Sequence, residues 1–327
     1  MESINNRREF LKGSLTAAAA MAGAPVLSAE PQPAARKTVS TEPLRVSVLA
    51  YSFRGVLSEG KMDLFGYLET CKYRYHLGAA DLWSSMSPPG WPKWPGQNGF
   101  LVSTDEAYCK KVKDGLDQRG LELADLCVDW AELWVDDPAQ REMLYKHEQA
   151  HLRAAAVLLP RFMRFDAGGR GSKDWTNEQF DYIVKRYREF AQFAYDHGFR
   201  IGAENHWGPE SSWPSMQRLY KAVDHPGFAF CMHISGWQGT AAEKDLADRE
   251  AAAFAAHTHI PWNVTESPAL EEKLANLWNA GYQGYYNVEH HSGKDEYTEV
   301  GIQLAKVRDV LERFRTGQST KLTTKRT

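Results

Sequence analysis

The sequence predicts an α/β protein built as a single (β/α)8 TIM barrel, and three observations carry this prediction. From residue 44 onward, short apolar, β-prone runs alternate with longer amphipathic stretches, which is the pattern that builds parallel βα units. Eight such units occupy roughly 270 residues, the usual size of this barrel. No break in composition divides them, so one domain over residues 44–316 is expected.

The predicted strands follow one another in chain order, each separated from the next by a helical stretch. Apolar residues recur at three- and four-residue spacing in the clearest helices, at 178–197, 268–281 and 297–314. The first βα turn lacks a GxGxxG and polar residues gather at the ends of late strands, which favours the barrel over a doubly wound open sheet. The predicted strands are 44–52, 79–84, 121–129, 161–167, 200–206, 227–235, 255–260 and 284–290.

Composition and charge narrow the classes of function. The formal net charge is -3 and the basic residues are spread along the chain, so nucleic acid is not an expected partner. After the N-terminus no apolar run approaches the roughly 20 residues that a membrane span needs, and no stable membrane anchor is expected. The cysteines form no CxxC pair and are interpreted as buried thiols, although an oxidising compartment would allow a disulfide to form. They are Cys71, Cys109, Cys127 and Cys231.

The N-terminus predicts an export signal. Residues 6–12 read NRREFLK, an Ala-rich and weakly apolar stretch follows at 13–24, and small residues suited to cleavage follow that. The segment 1–29 resembles a twin-arginine signal peptide, and the resemblance implies periplasmic delivery of an already folded protein. The alternative is a disordered basic tail before an Ala-rich helix. Residues 30–43 are interpreted as a flexible leader, and residues 317–327 as a polar tail.

Side chains with metal-binding and acid–base chemistry collect at the ends of the last four predicted strands. Strand alternation places Glu204 with His206, and His257 with His259, on single faces. The same alternation places Glu289 with His291. Because active sites of such barrels lie at the C-terminal ends of the strands, these groups are expected to converge at one mouth.

Two carboxylates facing a barrel interior are costly to bury without a counter-charge, and a divalent cation is the natural neutraliser. A mixed carboxylate and imidazole set suits one divalent transition metal, Mn, Fe, Co or Zn, better than it suits Ca. The sequence therefore predicts a metal-dependent site.

These strand ends carry a family resemblance. Glu204-Asn205-His206, residues 230–233 (FCMH), His257-Thr258-His259 and residues 281–289 (GYQGYYNVE) resemble the xylose-isomerase-like sugar phosphate isomerase/epimerase superfamily over residues 44–316. The resemblance implies one divalent metal held by Glu, Asp, His and Glu from strands five to eight. These positions fall on Glu204, His233, His259 and Glu289, with His233 standing where the family has Asp.

The resemblance also implies a reaction, in which a proton moves at a carbon next to a carbonyl. It implies that Glu204 and Glu289 act on opposite faces of a sugar. His206 or His257 is a candidate for a further acid/base group or for binding a hydroxyl. The endonuclease IV branch uses a similar barrel with three zinc ions, but strands one to three here contain no histidine and the charge is not basic.

Aromatic residues indicate a carbohydrate ligand. Flat rings suit pyranose faces, and the early and late loops are rich in tryptophan. Arg164 and Asp166, at the end of the fourth strand, are expected to bind hydroxyl groups. Trp94, Trp207, Trp237 and Trp262 are expected to contact the substrate. The tryptophans after predicted strands are Trp83, Trp91, Trp94, Trp130, Trp134, Trp175, Trp207, Trp213, Trp237 and Trp262.

The sequence thus predicts a metal-dependent sugar isomerase or epimerase acting on an unphosphorylated sugar or keto-glycoside, because the mouth is rich in Trp rather than in Arg and Lys. Two alternatives stay open. A 3-keto-glycoside with a leaving group next to the carbanion would undergo elimination, which makes the protein a lyase. A periplasmic sugar-binding protein without catalysis is the other, since His233 departs from the family pattern.

Overall fold

The computed structural model describes residues 43–91 and 100–323. The predicted signal peptide, nearly all of the predicted leader, Trp94 and the last four residues of the predicted tail lie outside this range. Within it, the structure contains no helix that is both long and apolar enough to cross a membrane.

The described strands pair in parallel in two sheets, ordered β1-β8-β7-β6 and β2-β3-β4-β5. Isolated parallel bridges join the sheets, at Leu49–Asp81 on one side and at Ile201–Phe228 and Glu204–Cys231 on the other. The ring is therefore closed, and the predicted TIM barrel is confirmed. The strands are β1 (Val46–Val48), β2 (Ala79–Ser84), β3 (Glu122–Trp134), β4 (Phe162–Gly168), β5 (Arg200–Gly202), β6 (Phe230–His233), β7 (Ala255–Pro261) and β8 (Tyr286–Glu289).

Helices cover the outside of the barrel. Short 3-10 segments lie at Ala50–Phe53, Gly208–Ser211 and Ala252–Phe254, and a π-helical segment lies at Thr70–Arg74. The α-helices are α1 (Arg54–Ser58), α2 (Leu64–Glu69), α3 (Glu106–Gln118), α4 (Pro138–Leu158), α5 (Asn177–Asp196), α6 (Trp213–Val223), α7 (Ala241–Ala251), α8 (Trp262–Thr265), α9 (Leu270–Asn279) and α10 (Glu296–Thr316).

Helix α5 shows how the sequence builds this layer. A capping box begins it, in which Thr176 and Gln179 satisfy each other's backbone N–H groups. Ile183, Tyr187 and Phe190 recur at three- and four-residue spacing and are buried, each contributing about 1.5–3 kcal/mol by leaving water. The Tyr187 hydroxyl donates to the Phe165 carbonyl of β4 at 2.7 Å, which fixes the helix against the strands.

Several strands are shorter than the sequence predicts because the chain leaves the sheet to form the mouth. The fifth strand was expected to reach His206, but β5 ends at Gly202. A Cβ at Gly202 would collide with the Ala229 carbonyl, so the backbones pack too closely there for any other residue. Beyond it, Glu204 keeps one bridge to Cys231, which holds its side chain over the barrel.

Strand β3 is longer than predicted and contains a bulge. Cys127 pairs with Arg164 of β4, and Glu132 pairs with Asp166. Four residues of β3, 128–131, therefore lie between these pairs, where β4 has Phe165 alone. Trp130, inside the bulge, has a left-handed backbone with φ of 59°. A bulge of this kind bends the strand and re-aims side chains, and here it brings Asp129, Trp130 and Glu132 to the cavity at the mouth, while Val128 and Ala131 stay in the core.

Candidate active site

Four side chains from the ends of four neighbouring strands meet at the barrel mouth. The ligating atoms of Glu204, His233, His259 and Glu289 all lie within 4.8 Å of one another. His233 Nδ1 and His259 Nδ1 donate to Glu204 Oε1 at 3.0 and 2.8 Å. Glu289 Oε2 lies 3.5 Å from His233 Nδ1 and 3.9 Å from His259 Nδ1. We call these four residues the quartet.

The electrostatics of the quartet show a demand for positive charge. Burial alone would raise the pKa of Glu204, but His259 and His206 hold it well below the ordinary range. Burial is likewise outweighed at Glu289, where His291, His259 and His233 bring the pKa to about 2. Burial alone would lower the pKa of His259, but nearby carboxylates, chiefly Glu204, raise it to about 9. Both carboxylates are thus ionised and rely on nearby cations.

The quartet fits a divalent metal. Glu289 Oε2 is buried without a hydrogen-bond partner among the described residues, and a cation is the partner that such an oxygen lacks. Two imidazole nitrogens with two carboxylates suit a transition metal. A second group of donor atoms, on Asp125, Cys127 and His259, lies one level deeper, but Arg164 Nη2 already contacts the Cys127 sulfur at 2.7 Å.

Arg164 anchors the quartet from the side. Its side chain is only 2% exposed, and its guanidinium binds Asp166 and Asp129 at 2.7 Å each. Its Nε lies 3.5 Å from Glu204 Oε2. Because a buried guanidinium needs carboxylate partners, this network fixes Arg164 and, through it, the second oxygen of Glu204.

The quartet lies under a cavity of about 370 Å³. Tyr51, Trp83, Trp130 and Trp207 contribute aromatic walls. The Trp83 indole N–H donates to Asp129 at 2.8 Å. The ring of Trp207 remains on the surface, and the Arg170 guanidinium lies 4.8 Å above it. The cavity therefore combines flat apolar walls with a strongly polar floor, as carbohydrate sites do.

The amino-acid sequence of the chain matches a known family. Residues 86–307 match the profile of a family described as xylose isomerase-like TIM barrel. The chain belongs to the xylose isomerase-like TIM barrel family. No curated protein matches it by sequence.

Solved structures share the family fold at low sequence identity. The 3-keto-D-glucoside 4-epimerase of E. coli superposes with a TM-score of 0.63 at 12% identity, covering 82% of this chain and 100% of the other. A D-psicose 3-epimerase from Clostridium cellulolyticum, solved with D-tagatose, gives 0.61 at 13%, covering 84% and 99%. A xylose isomerase-like protein from Mycobacterium smegmatis in complex with magnesium gives 0.62 at 10%, covering 84% and 98%. At these identities the likeness establishes the fold alone.

The mouth of this barrel contains some of the predicted site residues and not others. Arg164, His206 and Trp207 line the cavity together with Glu204, His259 and Glu289. His233 belongs to the quartet. The ring of His206 lies against Trp207, with centroids 4.0 Å apart, and burial lowers its pKa, so the imidazole is available as a neutral group.

The structure places His257 away from the mouth, where it was predicted to act as an acid/base group. It lies one level below His259, with its Nε2 3.7 Å from Asp81 Oδ2 and its ring stacked on Phe162. Residues two apart on a strand share a face but differ in height by about 6.6 Å. His257 therefore lines the opposite end of the barrel.

Three other predicted substrate contacts, Asp166, Trp237 and Trp262, are not among the described residues that line the cavity. Asp166 accepts from the Arg164 guanidinium at 2.7 Å. Trp237 is 2% exposed and donates to Asp248. Trp262 packs on His290. Trp94 lies outside the described residues.

Sequence reasoning missed several cavity residues. Asp129 and Glu132 belong to the β3 bulge, and Arg170 pairs with Glu132 at 2.8 Å. Tyr51 was also missed, and its ring centroid lies 5.8 Å from that of His291, which strand alternation had placed at the mouth. The run DWAELW at 129–134 was the available signal, because it places acids beside tryptophans immediately after the expected end of a strand.

Proposed function

We propose that this family member is a divalent-metal-dependent enzyme that abstracts a proton next to a carbonyl of an unphosphorylated sugar or keto-glycoside, as an isomerase or epimerase. One observation carries the proposal. Two buried, ionised carboxylates, Glu204 and Glu289, face the same pair of imidazoles at the floor of an aromatic-walled cavity. The structural likeness to two sugar epimerases supports it.

The quartet would hold the metal. The chemistry that a divalent cation supplies there is Lewis-acid stabilisation of the negative charge that develops when a carbon next to a carbonyl loses a proton. With His233 in place of the family's Asp, the quartet carries two negative charges rather than three, so a divalent cation leaves the site neutral. This favours Mn, Fe, Co or Zn, which accept two imidazoles readily.

Glu289 is the better placed base, because its two oxygens can take different roles. Oε2, which has no hydrogen-bond partner among the described residues, would face the metal. Oε1, which lies 3.3 Å from His291 Nε2, would take the proton. Glu204 is more fully engaged, with one oxygen between two imidazoles and the other near Arg164. If Glu289 takes a proton on one face and a solvent proton reaches the other face past Glu204 or His206, the carbon is inverted, which is epimerisation.

The same asymmetry favours a lyase as the second candidate. Elimination from a 3-keto-glycoside needs one base at the acidic carbon, and Glu289 Oε1 would supply it while Oε2 faces the metal. The proton that Glu289 takes would then pass to the leaving oxygen, to which His206, neutral beside the cavity, would donate a hydrogen bond.

The charges around the cavity favour an unphosphorylated ligand. Among the described residues that line it, Arg164 is held by Asp129 and Asp166, and Arg170 by Glu132 and Asp166. A phosphate would have to compete with these carboxylates, which is costly for a dianion. We further propose periplasmic delivery, supported by the twin arginines of residues 6–12.

Solvent-deuterium exchange tests the proposal. The purified protein is analysed for bound metal, then incubated in deuterium oxide with keto-sugars and 3-keto-glycosides while NMR follows the carbon-bound protons. Glu289→Gln should retain metal yet lose exchange by roughly 100- to 10,000-fold. Glu178→Gln, an exposed change on α5, is the control and should match the wild type.

The outcomes separate the candidates. Loss of exchange in both Glu289→Gln and Glu204→Gln supports an epimerase, whereas exchange kept in Glu204→Gln with release of the aglycone supports the lyase. Wild-type protein that binds metal and sugar but exchanges no proton with any substrate tried would leave a sugar-binding protein.

A further inference from the structure

A second cavity, of about 400 Å³, opens at the N-terminal end of the barrel, opposite the quartet. Residues that precede or begin strands form it. Three of them are arginines, Arg45 before β1, Arg161 before β4 and Arg200 at the start of β5. The chain has a net charge of -3, so this concentration of positive charge is local.

Little opposes that charge. Glu122 is held by Arg161 and also accepts from the Tyr285 hydroxyl at 3.1 Å. The Arg45 guanidinium donates to the Gln283 carbonyl, which carries no charge. In the part of the chain that the structure describes, no carboxylate lies within 4.0 Å of the Arg200 guanidinium. Among the described residues, the cavity therefore has three lining arginines, and Glu122 is the carboxylate that pairs with one of them.

The cavity also has a buried polar floor. His257, which the mouth does not use, lines it while being only 1% exposed, and its Nε2 has no hydrogen-bond partner among the described residues. Buried polar groups are normally paired. Tyr195, Phe199 and Tyr285 line the sides, and the three arginines are exposed at the rim, where they can meet an entering anion.

We propose that this cavity binds a small multivalent oxyanion, carrying phosphate or carboxylate groups. Planar guanidinium groups bind such oxygens through paired, charge-assisted hydrogen bonds. The arginines point to an anion with at least two charges, because one charge would leave the rim cationic, and the cavity volume limits it to a small molecule. The proposal is independent of the proposed function, since the two cavities share no described lining residue.

The experiment measures anion binding to the full chain in the presence of a chelator, so the metal site does not contribute. Isothermal titration and thermal unfolding are followed with inorganic phosphate and, separately, with citrate, at ionic strength matched with sodium chloride. Wild type should show saturable binding and a rising Tm with at least one anion. Arg200→Gln should weaken binding roughly 10-fold or more.

Arg153→Gln is the matched control, because Arg153 is an exposed arginine of α4 outside both cavities. It should bind like the wild type. Binding of phosphate alone identifies a phosphate ligand, and binding of citrate alone a polycarboxylate. The proposal is overturned if neither anion binds saturably, or if Arg200→Gln and Arg153→Gln respond as the wild type does. Arg45→Gln provides a second variant if Arg200→Gln is unstable.

Discussion

His259 Nε2 lies 3.9 Å from Asp125 Oδ2, and neither atom has a hydrogen-bond partner among the described residues. Asp125 is fully buried. Burial raises its pKa to about 7, although the charges of His259 and Arg164 pull it down. A carboxylate behind a ligating imidazole orients the ring and fixes which nitrogen faces the metal. We therefore propose that Asp125 positions the His259 ring when the quartet holds a metal.

Replacing Asp125 by Asn should weaken metal binding roughly 10- to 100-fold, because the amide holds the His259 ring less firmly. Isothermal titration with Mn or Zn measures the affinity. Asp81→Asn is the control, since Asp81 is equally buried and lies 3.7 Å from His257, which is outside the quartet. Equal losses in the two variants would indicate general damage to the barrel instead.

The two classes of tryptophan should respond differently to truncation. Trp207→Ala should raise KM about 5- to 10-fold with little change in kcat or in stability, because this ring is 41% exposed at the cavity and contributes about 1 kcal/mol of ring contact. Trp237→Ala should lower the free energy of unfolding by about 3–5 kcal/mol, because its ring is buried. Kinetics and urea unfolding check both, and a reversed pattern would contradict the corrected assignment.

The pH dependence of stability should report the buried imidazoles of α4. Burial lowers the pKa of His151 to about 3 and that of His147 to about 4, from an ordinary 6.5. Below about pH 6.5 the unfolded chain binds protons that the folded chain refuses, so the free energy of unfolding falls as the pH drops toward 4.

His151→Gln isolates this effect. The variant should be less stable than the wild type at pH 7, because it disturbs the 2.9 Å contact with Ser84. The difference should shrink by about 2 kcal/mol by pH 5, because the variant has no such group to protonate. Burial raises the pKa of Glu148 to about 8, which acts in the opposite direction but is common to both proteins. Urea unfolding at each pH measures the difference, and a constant difference would refute the assignment.

Replacing Arg7 and Arg8 by Lys should leave the precursor in the cytoplasm, because paired guanidinium groups are the feature that the export receptor is expected to read. Fractionation with antibody detection measures the distribution. Substitution of the nearby Lys12 by Arg is the control and should not change delivery. Normal periplasmic delivery of the double variant would exclude the twin-arginine prediction.

The sequence could predict the meeting of the quartet because barrel topology brings the ends of neighbouring strands to one mouth, whatever the loops do. Strand β2 was predicted with its observed bounds, since Ala79–Ser84 is a continuous buried run. Alternation also assigned Glu204 and His259 to the inner face. These features depend on chain order and on a two-residue period.

The two-residue period does not determine the height of a side chain along the barrel axis or the path of a loop. His257 shares a face with His259 but lies a level lower, which alternation alone does not reveal. Trp237 and Trp262 follow strands as Trp207 does, yet the ring of Trp237 packs on Trp213 of α6 and that of Trp262 packs on His290 after β8. The sequence did not reveal the extra residues of β3, because a bulge shows only in the pairing with β4 and leaves no distinct pattern of residue types.

That bulge joins two tasks that the mouth has to perform. Within it, Trp130 lines the cavity, while Asp129 holds Arg164, whose Nε lies 3.5 Å from Glu204 Oε2. A change at Trp130 therefore alters the wall that a ligand meets, whereas a change at Asp129 also disturbs the quartet. A descendant of this protein could acquire a new ligand preference at Trp130 while inheriting its reaction unchanged.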